Sequence, residues 1–395
     1  MFISKGLTAK IWPWSFPALL FGCIFIAHLF SGAPPYFADG PAHIEAARLG
    51  INVIQPPGYW LYTSVGGLFK NPGLAFSFFN YFFVSAGPVA FYFMSRKLDV
   101  DITCSRIASI AYACIFFLWF AGDVQSTYAS QAFFPPLLIF SFLLLKEKQT
   151  SKLRFICALI YACGAGFRPS DGFFLMPLLL YLTYSSSPQW KIRIEILVMT
   201  GLLCLLWFIP NQLALHANNS LVHSQLSKLI TLASVLYLGI TVESLANMAR
   251  VLVPLAIAFW PLLFLIRFIS KKNWQLIILW SMPGLLFLFF LYMSDATYIV
   301  FSSGAFILAA SLSQNVRLAK IVLSACAIWN LGFYFVAKPI LSMNPLALAF
   351  NYYGVKYTYF GIAHEWMENP SDALIKSPWY GECIKTSCAG VLGTR

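Results

Sequence analysis

The chain has 395 residues, of which 59% are hydrophobic, 17% aromatic and only 10% charged. A water-soluble domain carries about 25% charged residues, so that class is excluded, and the recurring apolar runs predict an all-α polytopic membrane protein. The net charge of +12 gathers on no soluble module, which argues against nucleic acid; basic loops facing anionic lipid headgroups account for it.

In chain order, Lys5 and Lys10 precede a first span over about 12–31, which predicts a cytoplasmic N-terminus. Pro13 and Pro17 interrupt that run and no small-residue cleavage site follows it, so it reads as a retained span rather than a signal peptide.

The segment from Asp39 to Trp60 comes next, the most polar and best-punctuated stretch of the chain. Asp39-Gly40-Pro41 predicts a helix start with Pro41 at the first helical position, where its missing N–H costs nothing. The helix is expected over Ala42–Leu49, with Gly50 as its stop. Pro56-Pro57-Gly58 then forces an extended turn that returns Tyr59 and Trp60 to the membrane. A short juxtamembrane helix is thus expected in the first outer loop, with the Asp39 carboxylate at its N-terminus.

Further spans are expected over about 74–95, 106–121 and 132–145, with a polar turn from Asp123 to Gln131 between the last two. Two short segments, 155–167 and 172–184, are broken at Arg168-Pro169-Ser170-Asp171 and read as short or tilted helices meeting on the outer side. Spans follow at about 196–215, 250–267, 274–292, 296–313 and 318–337, and the apolar stretch Leu226–Ile240 between the first two suits an interfacial or re-entrant helix. The total is about eleven spans, dividing the chain into a transmembrane domain, 1–337, and a short extracytoplasmic tail, 338–395. Most of the 26 Lys and Arg residues fall on the expected cytoplasmic segments, whereas Asp39, Glu45, Asp123, Asp171, Glu243 and Asp295 fall on outer ones.

Most of the nine cysteines lie in or beside apolar runs without ligand spacing and read as small packing residues. Cys383 and Cys388, close together in the tail, are either a disulfide or two free thiols.

The order of these features resembles the GT-C superfamily of polyprenyl-phosphate-sugar-dependent glycosyltransferases, which includes protein O-mannosyltransferases and bacterial aminoarabinose transferases. The resemblance rests on Asp39, the helix Ala42–Leu49, the turn Pro56-Pro57-Gly58-Tyr59-Trp60, and the Gly-rich run with an Arg-Pro step from Gly164 to Tyr181. It covers roughly residues 10–190 and departs at Gly40, where many members place a second acid, and at Gln55, where a basic residue is common. It implies a GT-C-like bundle in a bacterial inner membrane, with a polyprenyl-phosphate-linked sugar as donor. The acceptor would be a hydroxyl of a glycan, lipid or protein on the extracytoplasmic side.

Under that resemblance Asp39 is the expected catalytic base, taking the acceptor hydroxyl's proton, or else a helix cap. Arg168 is the expected donor-phosphate contact, or else the ion-pair partner of Asp171. Asp123 and Glu45 are further catalytic candidates, Glu45 alternatively pairing with Arg48. Lys70 is a second candidate for the donor phosphate or a headgroup contact. His43, Tyr59, Trp60 and Asp295 are acceptor or cavity candidates, His43 orienting Asp39, binding acceptor or else an ordinary surface histidine, and Tyr59 and Trp60 alternatively interfacial anchors. No histidine or carboxylate set has the spacing of a dedicated zinc site; a Mg²⁺ or Mn²⁺ held through Asp39 and a phosphate stays open, with the missing second acid against it.

Two rivals remain. An O-antigen polymerase or ligase would rely on arginines in a large outer loop, and 216–249 has only Arg250 at its edge. A transporter or lipid flippase would carry ionisable groups in mid-span and internal repeats, and no repeat is evident.

Overall fold

A computed structural model describes residues 5–31, 39–50, 59–123, 125, 127–216, 252, 255–268, 273–290 and 299–341. They are helical almost throughout, with no β-strand among them. Four of these helices are long and apolar enough to cross a membrane: Pro72–Lys97, Thr127–Lys148, Trp190–Ala214 and Val316–Tyr334. The bent pair Ile102–Cys114 and Phe116–Asp123 makes a fifth if it is one span. The chain is an all-α, membrane-embedded protein.

The helices are α1 (Lys5–Ser31), α2 (Asp39–Leu49), α3 (Trp60–Gly67), α4 (Pro72–Lys97), α5 (Ile102–Cys114) and α6 (Phe116–Asp123). A 3₁₀ turn at Thr127–Ala129 leads to α7 (Ser130–Lys148), α8 (Ser151–Phe167), α9 (Pro169–Ser186) and α10 (Trp190–His216). Beyond a 3₁₀ segment, Trp260–Phe268, come α11 (Trp274–Phe290), α12 (Ile299–Ser311) and α13 (Val316–Leu341). The expected segment Leu226–Ile240 and the Cys383–Cys388 pair lie outside the described residues.

Local chemistry explains where several helices start. Asn71 caps α4, its side chain accepting from Leu74 N at 3.2 Å, and Pro72 occupies the first turn. Asp101 caps α5 through Cys104 N at 3.0 Å, and Thr150 caps α8 through Leu153 N at 3.3 Å. The surface helix departs slightly from expectation. It begins at Asp39 rather than Ala42, so Pro41 is its third residue, a position whose N–H has no intrahelical acceptor either. Gly50, at φ 70°, ends it in the left-handed conformation that glycine adopts without strain.

A second departure lies at 106–121, expected as one span. It is two helices bent by 53° at Ile115, whose ψ of 126° leaves the helical region. A helix start inside an apolar bundle exposes N–H groups that neither water nor lipid can satisfy. Asn330 of α13 supplies an acceptor there, its Oδ1 lying 3.4 Å from Phe116 N. The same asparagine donates to Ala258 O at 2.8 Å. A proline inside α7 meets a similar answer. Pro136 has no N–H for the carbonyl of Ala132, and that oxygen accepts from the Tyr112 hydroxyl at 2.9 Å.

The largest buried side chains are mostly aromatic. Phe76, Phe91, Phe116, Phe117, Phe120, Phe142, Phe301 and Trp280 are fully buried. Glycine lets two helices meet at the centre: a Cβ on Gly87 of α4 would lie 2.5 Å from the Ala132 oxygen of α7. Leu202, Leu206 and Leu213 of α10 point outward at 59%, 69% and 67% exposure, as a lipid-facing surface requires.

Chain direction separates two ends. At one end Lys97 meets Glu147 at 2.6 Å, Lys320 meets Asp101 at 2.8 Å, and Arg154 pairs with Glu195. The other end collects α2, α3, the start of α4, the turn after α6, and the α8–α9 junction.

Candidate functional site

The second end is built around Arg168. Proline at 169 disfavours helical backbone in the residue before it, and Arg168 is extended (φ −144°, ψ 98°) between α8 and α9. The chain reverses tightly there, with Asp171 N donating to Arg168 O at 2.9 Å. The Tyr161 hydroxyl donates to Gly172 O at 2.7 Å and ties the two helices. Arg168 is only 1% exposed, and its guanidinium is surrounded by shaped contacts. Its Nε lies 3.4 Å from Asp171 Oδ1, Nη1 donates to the Thr127 hydroxyl, and the Tyr128 ring lies under the group at 3.9 Å. Gln131 orients the carboxylate, Nε2 donating to Asp171 Oδ1 at 2.7 Å. The sequence's alternative for Arg168, an ion pair with Asp171, is thus present; a buried guanidinium needs such a partner.

The first polar segment reaches the same group. The Tyr59 ring lies 6.0 Å from the Arg168 guanidinium. His43 of α2 packs edge-on against Tyr59 at 5.0 Å and Tyr62 at 5.3 Å. His43 is 3% exposed, so it is not the surface histidine that the sequence also allowed; packing of α2 on α3 encloses its ring. Burial first, and the Arg168 charge second, push its pKa down to about 3, so the imidazole is neutral at physiological pH. The α2–α3 contact that holds it is close, since a Cβ on Gly67 would sit 2.8 Å from Ala47 O. The turn after α6 is fixed from α4, with Gln125 Nε2 donating to Gly73 O at 2.9 Å and Ser77 Oγ at 2.8 Å.

Three segments far apart in sequence therefore converge: His43 and Tyr59, then Thr127, Tyr128 and Gln131, then Arg168 and Asp171. Asp39 is the first residue of α2, one turn before His43; its side chain is outside the described set. Trp60 is half-buried at the start of α3. Glu45 pairs with Arg48 at 3.2 Å on the solvent side of α2, and Lys70 is exposed between α3 and α4. Asp295 lies outside the described residues.

Asp123 is engaged elsewhere. Its Oδ1 is 2.9 Å from His28 Nδ1 of α1, and its Oδ2 accepts from the Tyr334 hydroxyl of α13 at 2.6 Å. All three residues are 1% exposed. The imidazole of His28 also packs against Trp119 at 4.7 Å. A Cβ at Gly122 would come within 2.5 Å of the His28 ring, so glycine is needed there.

Sequence reasoning did not single out Thr127, Tyr128, Gln131, His28 or Tyr334. A histidine in an apolar run was a signal for His28, because an ionisable group inside a span needs a partner. Nothing local marks Tyr128 or Tyr334. Among the described residues no group of three or more His, Cys, Asp or Glu converges.

No protein-family model matches the chain, and no curated protein matches its sequence.

Proposed function

We propose that this protein is a membrane glycosyltransferase that moves one sugar from a polyprenyl-phosphate carrier to an acceptor hydroxyl on the extracytoplasmic side of a bacterial inner membrane. In this reading about eleven spans leave the Arg168 end outside. The observation that supports it most is the convergence of the first outer loop, through His43 and Tyr59, on the buried Arg168 guanidinium.

The chemistry follows from the residue types. The acceptor oxygen attacks the anomeric carbon, the bond from that carbon to the phosphate oxygen breaks, and the hydroxyl proton passes to the Asp39 carboxylate. Polyprenyl phosphate leaves with an added negative charge, and a permanently charged, planar guanidinium held in place by Asp171 and Tyr128 stabilises it. Preorganisation matters more than contact number here, because a cation already oriented needs no rearrangement as the leaving group's charge grows.

Mass spectrometry of envelope glycans and glycolipids tests the reading, with host cells deleted for the gene, restored with wild type, or restored with Asp39→Asn at equal membrane level. A one-sugar increment that appears only with wild type is expected. An undiminished increment with Asp39→Asn removes Asp39 as the base. A changed chain length without a new branch points to a polymerase or ligase, and no glycan change leaves a transporter.

A further inference from the structure

The hydrogen-bond network of this end has an open position. His43 Nδ1 is buried and, among the described residues, has no hydrogen-bond partner. Leaving a polar nitrogen desolvated and unpaired costs about 1–3 kcal/mol, so a residue with only a packing role would be better replaced by phenylalanine. The ring is not misplaced by looseness: Tyr59 and Tyr62 meet it edge-on at interplanar angles of 87° and 82°. Two more buried polar atoms of the same end share the condition, Gln125 Oε1 and Gln131 Oε1, although both amides spend their N–H groups on protein acceptors.

We infer that His43 Nδ1 is the protein's contact for a sugar hydroxyl at the Arg168 end, a binding role that rests on the glycosyltransferase reading. The chemistry selects a hydroxyl over a phosphate oxygen. A neutral imidazole offers one N–H and one lone pair, and which nitrogen carries the proton depends on its surroundings. A hydroxyl both donates and accepts, so it satisfies Nδ1 in either tautomer; a phosphate oxygen satisfies only the protonated one. Placement agrees. His43 lies four residues after Asp39 in α2, about one helical turn, so a sugar held at His43 is one turn along the helix from the expected base. Arg168, whose charge reaches His43, takes the anionic end of the donor.

The hydroxyl can belong to the sugar on the donor or to an acceptor glycan, and full-length protein in nanodiscs distinguishes the two. Histidine-¹⁵N NMR, with the His43 signals assigned from the spectrum of His43→Phe, is recorded with a panel of methyl glycosides and with undecaprenyl phosphate. At least one glycoside is expected to shift the Nδ1 resonance, and undecaprenyl phosphate is not. His43→Phe should bind that glycoside about tenfold more weakly, the loss of one hydrogen bond, while its thermal stability holds or rises. In the transfer assay the same variant raises KM for whichever substrate brings the hydroxyl, which names the source. An Nδ1 signal unmoved by every glycoside, one moved by the phosphate alone, or unweakened glycoside binding by His43→Phe overturns the inference. Transfer by wild type with an unmoved Nδ1 sinks the histidine's role and keeps the enzyme; a moved Nδ1 without any transfer does the reverse.

Discussion

His28 and His43 are both buried histidines, 1% and 3% exposed, and both stand beside an aromatic ring and a charged residue. Their surroundings differ in completeness. His28 meets Asp123, which in turn meets Tyr334, so the polar groups joining α1, α6 and α13 are matched to one another within the protein. His43 keeps a nitrogen without a partner among the described residues and feels the charge of a cation, Arg168. A matched buried network fixes helices, whereas an unmatched one costs stability and is retained where a ligand can complete it. The first cluster also bears on the second. Asp123 ends α6, and the turn that follows supplies the Thr127 hydroxyl and Tyr128 ring that hold Arg168.

The largest test of this contrast is Asp123→Leu. It strands His28 and the Tyr334 hydroxyl in the interior and should lower folding stability by about 3–5 kcal/mol, the usual cost of removing one member of a buried pair. Reversible unfolding in mixed detergent measures it. A loss below about 1 kcal/mol would show that the network is not holding the helices.

Arg168→Lys should act on chemistry. The charge stays near Asp171 while the planar fork is lost, and transfer should fall about 100-fold, near 2.7 kcal/mol of transition-state stabilisation. Activity within about threefold of wild type would mean that the guanidinium serves only the α8–α9 junction.

Tyr334→Phe removes one hydrogen bond to Asp123 and should cost about 2 kcal/mol, less than loss of the carboxylate itself. Restoring Tyr334 on the Asp123→Leu background should return little of the deficit, since the two residues act as one unit.

The pH response tests the setting of His43. His43 has a folded pKa of about 3 against an ordinary 6.5, a depression, so the unfolded chain takes up the proton first. Its contribution to stability is complete above about pH 6.5 and is lost as pH falls towards about 3, by up to about 1.4 kcal/mol per pH unit. Wild type should therefore lose stability relative to His43→Phe over that window, measured as the difference between their unfolding midpoints at each pH. Parallel curves would show that His43 is not held neutral.

The smallest effect belongs to the opposite end. Lys97 and Glu147 pair at 2.6 Å with side chains 33% and 50% exposed. Lys97→Gln should cost under about 1 kcal/mol and fade in high salt, because exposed pairs gain little over hydration.

The surface helix was readable from Asp39, Pro41 and Gly50 because caps and stops are set by neighbouring residues. The α8–α9 break was equally clear, since Pro169 acts on Arg168 directly. The bend at Ile115 was not, for no proline or glycine stands there; it rests on Asn330, more than two hundred residues on, which offers an acceptor to Phe116 N. Asp123 read as a turn acid near Thr127, and in sequence it is one, but its partners come from the first and last described helices. Arg168 was found as a candidate and its partner Asp171 as the alternative, while Tyr128 and Gln131 went unremarked in a turn seen only as polar.

By itself, then, the sequence determined that this is a helical membrane protein, and placed those helix starts, breaks and stops that proline, glycine or a capping side chain marks. Those features arise from apolar run length, capping and proline sterics, all acting within a few residues. Tertiary structure alone decided which polar groups meet in the interior. A buried polar atom takes whatever partner packing brings within about 3 Å, and packing joins residues that chain distance does not relate. That is why one buried histidine became part of a closed brace and the other an open contact.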